Sequence, residues 1–170
     1  MALVVSVRGV MPVFGSDCFL APNSTIAGEV VVGNRCSIWF NTVIRGDVCR
    51  IEIGDDCNIQ DMALIHGTIN RSSTKIGNRV SIGHQAMLHG CTVDDDVLIG
   101  MGAILLDNCV VQSHCIVGAG SLVLENTVLE SGYLYAGSPV RKIKPITDIQ
   151  KETIARTARN YPEYASWFES

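Results

Sequence analysis

The sequence predicts an all-β chain, a parallel β-helix of about seven coils closed by a C-terminal α-helix. Three observations predict it. A large apolar residue recurs every sixth position, a small residue recurs at the fifth position of each unit, and the pattern stops at Pro145.

The large series starts with Phe14, Leu20, Ile26, Val32, Ile38 and Ile44. After a three-residue slip it resumes at Ile53, Ile59 and Ile65, and after a five-residue insertion at Ile76, Ile82 and Leu88. One residue is then lost, and the series runs Val93, Ile99, Leu105, Val111, Val117, Val123, Leu129, Tyr135. Self-similarity at a fixed period is the signature of a solenoid, whose units bury their apolar faces only by stacking.

The fifth position reads Cys18, Ser24, Val30, Cys36, Thr42, Val48, then Cys57, Ala63, then Val80, Ala86, Thr92, and ends Val97, Ala103, Cys109, Cys115, Ser121, Thr127. One large and one small inward residue per flat strand explain both series. Six residues per side and three sides per turn make an 18-residue coil, and strands about 4.8 Å apart stack to a prism roughly 30 Å tall. Residues 1–144 form this prism and residues 145–170 a helical segment packed on it. Thr147-x-x-Gln150 reads as a capping box. Ile149, Ile154, Ala158 and Tyr161 follow at helical spacing. Pro162 should break or kink the helix, with Tyr164, Trp167 and Phe168 as an aromatic tail used for packing.

Composition narrows the function. The chain has 170 residues, 47% hydrophobic and 18% charged, with a net charge of −4. That balance offers no phosphate-binding surface, so a nucleic-acid partner is not expected. No apolar run reaches the roughly 20 residues of a membrane span, and no secretory leader is expected at Met1–Val10. Seven cysteines without a C-x-x-C pair suggest reduced thiols and a cytoplasmic protein. Five of the seven fall on the small inward position, where a thiol fills space, whereas Cys49 and Cys91 lie off it.

Of the four histidines, His66 and His89 are each the second residue of units three apart. They therefore share a side one coil apart, close enough to converge on a single ion. His84 is the third residue of its unit, on the neighbouring side, and should point away from the other two, so one chain alone has trouble closing a three-histidine site. Three prisms around a threefold axis would bring the His84 side of one to the His66/His89 side of the next. The same contact would bring Asp61, beneath His84, near Arg45, beneath His66. Gln60 projects near the same place, where it could hold a metal-bound water. His114, at a fourth position, is expected outward, and Asp94-Asp95-Asp96 fits a coil corner.

Arg45-Gly46-Asp47, Asn58-Ile59-Gln60-Asp61, Leu64-Ile65-His66-Gly67, Gly83-His84, Leu88-His89-Gly90-Cys91 and Gly137-Ser138-Pro139, in this order, resemble the gamma-class carbonic anhydrases and their short bacterial relatives, often labelled hexapeptide-repeat transferases. The resemblance implies left-handed winding and a homotrimer with zinc, or iron or cobalt, between subunits. It implies His66 and His89 of one chain and His84 of its neighbour as metal ligands. Arg45, Asp61 and Asp47 would form the interface network, and Gln60 would orient metal-bound water. The implied reaction is hydration of carbon dioxide to bicarbonate by metal-bound hydroxide. The acidic loop with a glutamate proton shuttle that the family's best-known archaeal member carries has no counterpart here. Thr68–Lys75 contains no acid, and the motif after Gly46 lacks a second one. Weak turnover is therefore expected. The alternatives are a metal-binding scaffold or assembly subunit with little catalysis, and a coenzyme-A-dependent acyltransferase, for which His114 is the spare histidine.

Overall fold

The structure, a computed structural model, describes residues 1–168 and is the expected solenoid of about seven turns. One ladder climbs through Phe19–Leu20, Ser37–Ile38, Asn58–Ile59, Ser81–Ile82, Leu98–Ile99, Ile116–Val117 and Tyr133–Ala136. The second includes Leu64–His66, Met87–His89, Ile104–Leu105 and Leu122–Val123, and the third Thr74–Ile76, Thr92–Val93, Val110–Val111 and Val128–Leu129. Thr25–Val32 and Val43–Ile53 each bend round from the second ladder to the third. Pairing is parallel throughout these ladders, and the antiparallel strand Arg141–Pro145 closes the upper edge.

The interior is one continuous stack. Ile26, Ile44, Ile59, Ile65, Ile82, Leu88, Ile99, Leu105 and Val117 are completely buried, as are Ala86, Ala103, Cys109 and Cys115 at the small positions. The slip, the insertion and the lost residue shift that second series. There the inward small position counts back from the next large residue, so Ile51, Thr74 and Cys91 are buried, while Val48 and Thr92 are not. Cys91 is thus a core thiol, and Cys49 is the one cysteine off the stack.

Corners are made by the fourth residue of the unit. Asp17, Asn23, Arg35, Asn41, Asp56, Met62, Arg79, Gln85, Asp96, Asn108, His114 and Asn126 have φ between +54° and +65°. This left-handed conformation is costly for a side-chain-bearing residue. It recurs because the turned N–H bonds to the coil beneath, as from Asp56 to Asn34 O (2.9 Å) and from Gln85 to Asp61 O (2.9 Å). One corner is also laced by side chains: Asn34 N–H donates to Asp55 Oδ1 (2.8 Å), Asp55 N–H to Asn78 Oδ1 (2.9 Å), and Asn78 N–H to Asp95 Oδ1 (2.8 Å). Asp96 pairs with Arg79, so Asp95 and Asp96 of the aspartate run both serve this corner.

The helix Asp148–Ser166 starts at the expected box: Gln150 N–H donates to Thr147 Oγ1, and Thr147 N–H to Gln150 Oε1. Ile154, Ala158 and Ala165 are buried against the first ladder. Two expectations change. Ile149 is exposed, because it lies in the first turn before the helix meets the prism. Of the break or kink expected at Pro162, the break does not occur, since the helix continues to Ser166. Tyr161 in the helix and Phe168 beyond it pack on the prism, 5.4 Å and 5.9 Å from Trp39, ring centre to ring centre, whereas Trp167 is exposed.

Candidate metal centre

Leu64–His66 and Met87–His89 are adjacent strands in register, so His66 faces His89 directly. Their ring centres are 5.3 Å apart and inclined by 64°. Each ring is gripped by a carboxylate. His66 Nε2 lies 3.0 Å from Asp47 Oδ1, Arg45 pairs with Asp47, and Arg45 Nη2 approaches His66 Nδ1 at 3.4 Å. Burial pushes the Asp47 carboxyl up, but hydrogen bonds from Arg45 and His66 outweigh it and hold the group below its ordinary value.

His89 Nδ1 lies 2.9 Å from Asp107 Oδ1. Asp107 was not visible as a site residue in the sequence. Its side chain is 5% exposed, and it also accepts from Thr68 Oγ1 (2.7 Å) and Ser72 Oγ (2.8 Å). Burial opposes ionisation there, and the Thr68, Ser72 and His89 bonds together prevail, holding the carboxyl low. The one sequence signal was an acid ending the apolar run Val97–Leu106.

His84 follows Ser81–Ile82 on the neighbouring ladder. Its Nδ1 lies 2.8 Å from Asp61 Oδ2, and its side chain is 40% exposed. Among the described residues of one chain, no group of three or more His, Cys, Asp or Glu converges to hold a cation. Within that chain Arg45 is engaged with Asp47 and Asp61 with His84, so the pair expected between Arg45 and Asp61 is not formed inside it. Gln60 is buried, with Nε2 donating to Asn58 Oδ1 (3.0 Å) while Asn58 Nδ2 donates to Ser81 Oγ (2.8 Å). It lines a cleft of about 350 Å³ together with His84, Met101, Ala119, Thr157 and Tyr161. Burial pushes the Tyr161 phenol up to about 12. His114 sits exposed at its corner, away from the other histidines.

The donor chemistry fits a borderline divalent cation, since neutral imidazoles suit zinc, iron and cobalt. His89 and His84 each turn Nδ1 to a carboxylate, and among the described residues Nε2 of each has no hydrogen-bond partner. His66 has both nitrogens engaged and would have to exchange Asp47 or Arg45 for a cation.

Residues 11–46 and 90–125 match the family model described as Bacterial transferase hexapeptide (six repeats). The chain is 43% identical over 159 residues to Gamma carbonic anhydrase 1, mitochondrial, of Arabidopsis thaliana, covering 91% of this chain and 58% of that protein. It is 42% identical over 168 residues to a Geobacillus kaustophilus protein named Carbonic anhydrase, covering 99% of this chain and 92% of that one. The chain belongs to the gamma-class carbonic-anhydrase-like family of hexapeptide-repeat proteins. A solved hexapeptide transferase family protein from Anaplasma phagocytophilum has the same fold, with a TM-score of 0.93, 36% identity and 98% of both chains covered. The chain thus spans nearly all of its Geobacillus relative in the family, but 58% of the length of the Arabidopsis one. Among the described residues no helix is long and apolar enough to cross a membrane.

Proposed function

We propose that the chain hydrates carbon dioxide to bicarbonate as a gamma-class carbonic anhydrase, at sites between the subunits of a homotrimer. The observation that carries this reading is the registered pair His66 and His89 at 5.3 Å, with His84 on the adjoining side one ladder away. His66 and His89 of one subunit and His84 of the next would hold zinc, or iron or cobalt. Three neutral imidazoles leave such a cation its full charge, which acidifies water toward neutrality.

The chain's own groups do the positioning. Asp107 orients His89 and Asp61 orients His84, each through Nδ1, while Asp47 and Arg45 hold His66 until one of them gives way to the cation. At the interface Arg45 and Asp61 would meet between subunits. Gln60 has its amide nitrogen committed to Asn58, so it would direct water through its carbonyl oxygen. The apolar lining of the cleft beside His84, from Leu98, Met101 and Ala119, suits an uncharged substrate. All seven cysteines are free, which suits the reducing cytoplasm.

A metal scaffold with little turnover is the second reading, supported by the acid-free loop Thr68–Lys75. The acyltransferase reading has weaker support, because His114 is a corner residue apart from the His66, His84 and His89 faces. Stopped-flow hydration separates these readings. Zinc-loaded protein should hydrate carbon dioxide, and stripping the metal with a chelator should abolish the rate. Equal rates with and without metal would overturn the proposal.

A further inference from the structure

The eight-residue stretch Thr68–Lys75, which holds the five-residue insertion, contains no acid, and its hydroxyls have a definite occupation. Thr68 Oγ1 and Ser72 Oγ both donate to Asp107, and Thr68 N–H in turn donates to Ser72 Oγ (3.0 Å). Thr74 Oγ1 donates to the His66 carbonyl (2.6 Å) and accepts from Gly90 N–H (3.0 Å), so it bridges the two histidine-bearing strands. Arg71 closes the outside, 3.8 Å from Asp107 Oδ2 and 2.5 Å from Glu125 Oε2. Gly90 makes the approach possible: its φ is +61°, and a Cβ there would overlap both Ser72 Oγ and Asp107 Oδ1.

We propose that Asp107, locked by Thr68 and Ser72, is the positioning residue for His89, and that the insertion is a clamp on the metal ligands. The proposal rests on the reading of His89 as a ligand. Hydroxyl donors on both oxygens hold the Asp107 carboxylate in place, and Oδ1, which accepts from Ser72, also faces His89 Nδ1 at 2.9 Å. The imidazole must therefore carry its proton on Nδ1, which leaves the Nε2 lone pair for a cation. A freely rotating ring would spend part of its time in the wrong tautomer and orientation. Removing such a carboxylate weakens metal binding by about 10–100-fold in comparable sites.

The test uses the full-length protein with Co²⁺, its affinity measured by competition with a chelating dye and its geometry by visible absorption. The tautomer of His89 is read separately in metal-free protein by long-range ¹⁵N–¹H correlation. Asp107→Ala should weaken Co²⁺ binding about 10–100-fold, alter the absorption bands and remove the Nδ1–H preference of His89. Asp107→Asn keeps an acceptor oxygen and should restore the tautomer and much of the affinity. Unchanged affinity in Asp107→Ala, or weaker binding with the tautomer intact, would overturn the inference. Should Asp107→Ala not fold, Ser72→Ala should weaken binding in the same direction by a smaller factor, and an unchanged affinity there would overturn it equally. If the wild type itself binds neither Co²⁺ nor Zn²⁺, the ligand reading fails. The tautomer comparison then still decides whether Asp107 controls the ring.

Discussion

His66 and His89 stand opposite one another on adjacent strands, ring centres 5.3 Å apart, each with a nitrogen within 3.0 Å of its own aspartate. That relationship follows from the solenoid. Two residues 23 positions apart in sequence meet because the coil repeat, lengthened by one inserted loop, returns the chain to the same side. The outward second position of each unit then builds a vertical column, and here the column carries imidazoles.

The stack beneath that column is the source of stability. Ile99 is fully buried between Ile82 and Val117, whereas Met101, two residues on, is 59% exposed. Ile99→Ala should cost about 2–5 kcal/mol, through lost transfer energy and the cavity left behind. Met101→Ala in the isolated chain should stay within about 0.5 kcal/mol. Urea unfolding of the two variants checks the contrast.

The laced corner makes stability depend on acid. Asn78 N–H holds the Asp95 carboxyl below its ordinary value, against a smaller opposing effect of burial and with help from the Asn78 side chain and Arg79. A lowered folded pKa contributes stability that is complete above about 3.9 and is lost as pH falls through the folded value. Asp95→Asn retains an acceptor for Asn78 but cannot ionise. The wild type should exceed this variant by less than about 1 kcal/mol near neutrality, since solvent screens a side chain 41% exposed. The advantage should vanish in strong acid, and urea midpoints measured against pH will show it.

Proton release should limit turnover. Hydration of carbon dioxide leaves one proton to be carried to solvent, and the hydroxyls of Thr68 and Ser72 are committed to Asp107. An external base should take that role. Raising imidazole buffer concentration is expected to increase kcat severalfold while leaving kcat/KM nearly constant. A kcat independent of buffer would place an efficient shuttle within the protein.

Much of this was legible in the sequence, because a six-residue period ties each inward side chain to the coil length. His66, His84 and His89 could be set on their sides from register alone. Cys91 was misread because the lost residue lies before it, and burial is set by counting back from Val93. Asp107 was missed because its partners, Thr68, Ser72 and His89, come from a loop and a strand that only coil stacking brings together. Gln60 lines the same cleft as His84, but its bond to Asn58 depends on side-chain rotamers that no period encodes. Pro162 was weighed by local helix propensity, and the helix nevertheless runs through it, with Ala165 buried on the prism beyond it.

The central claim is that the site is catalytic and shared between subunits, and mixed oligomers test it most directly. His66→Ala and His84→Ala chains should each form oligomers without metal-dependent hydration. Unfolded together and refolded at equal ratio, they should regain about a quarter of the wild-type rate, because each mixed trimer rebuilds one of its three interfaces. No recovery in mixed trimers that have demonstrably formed would contradict the account, as would full hydration activity in either variant alone.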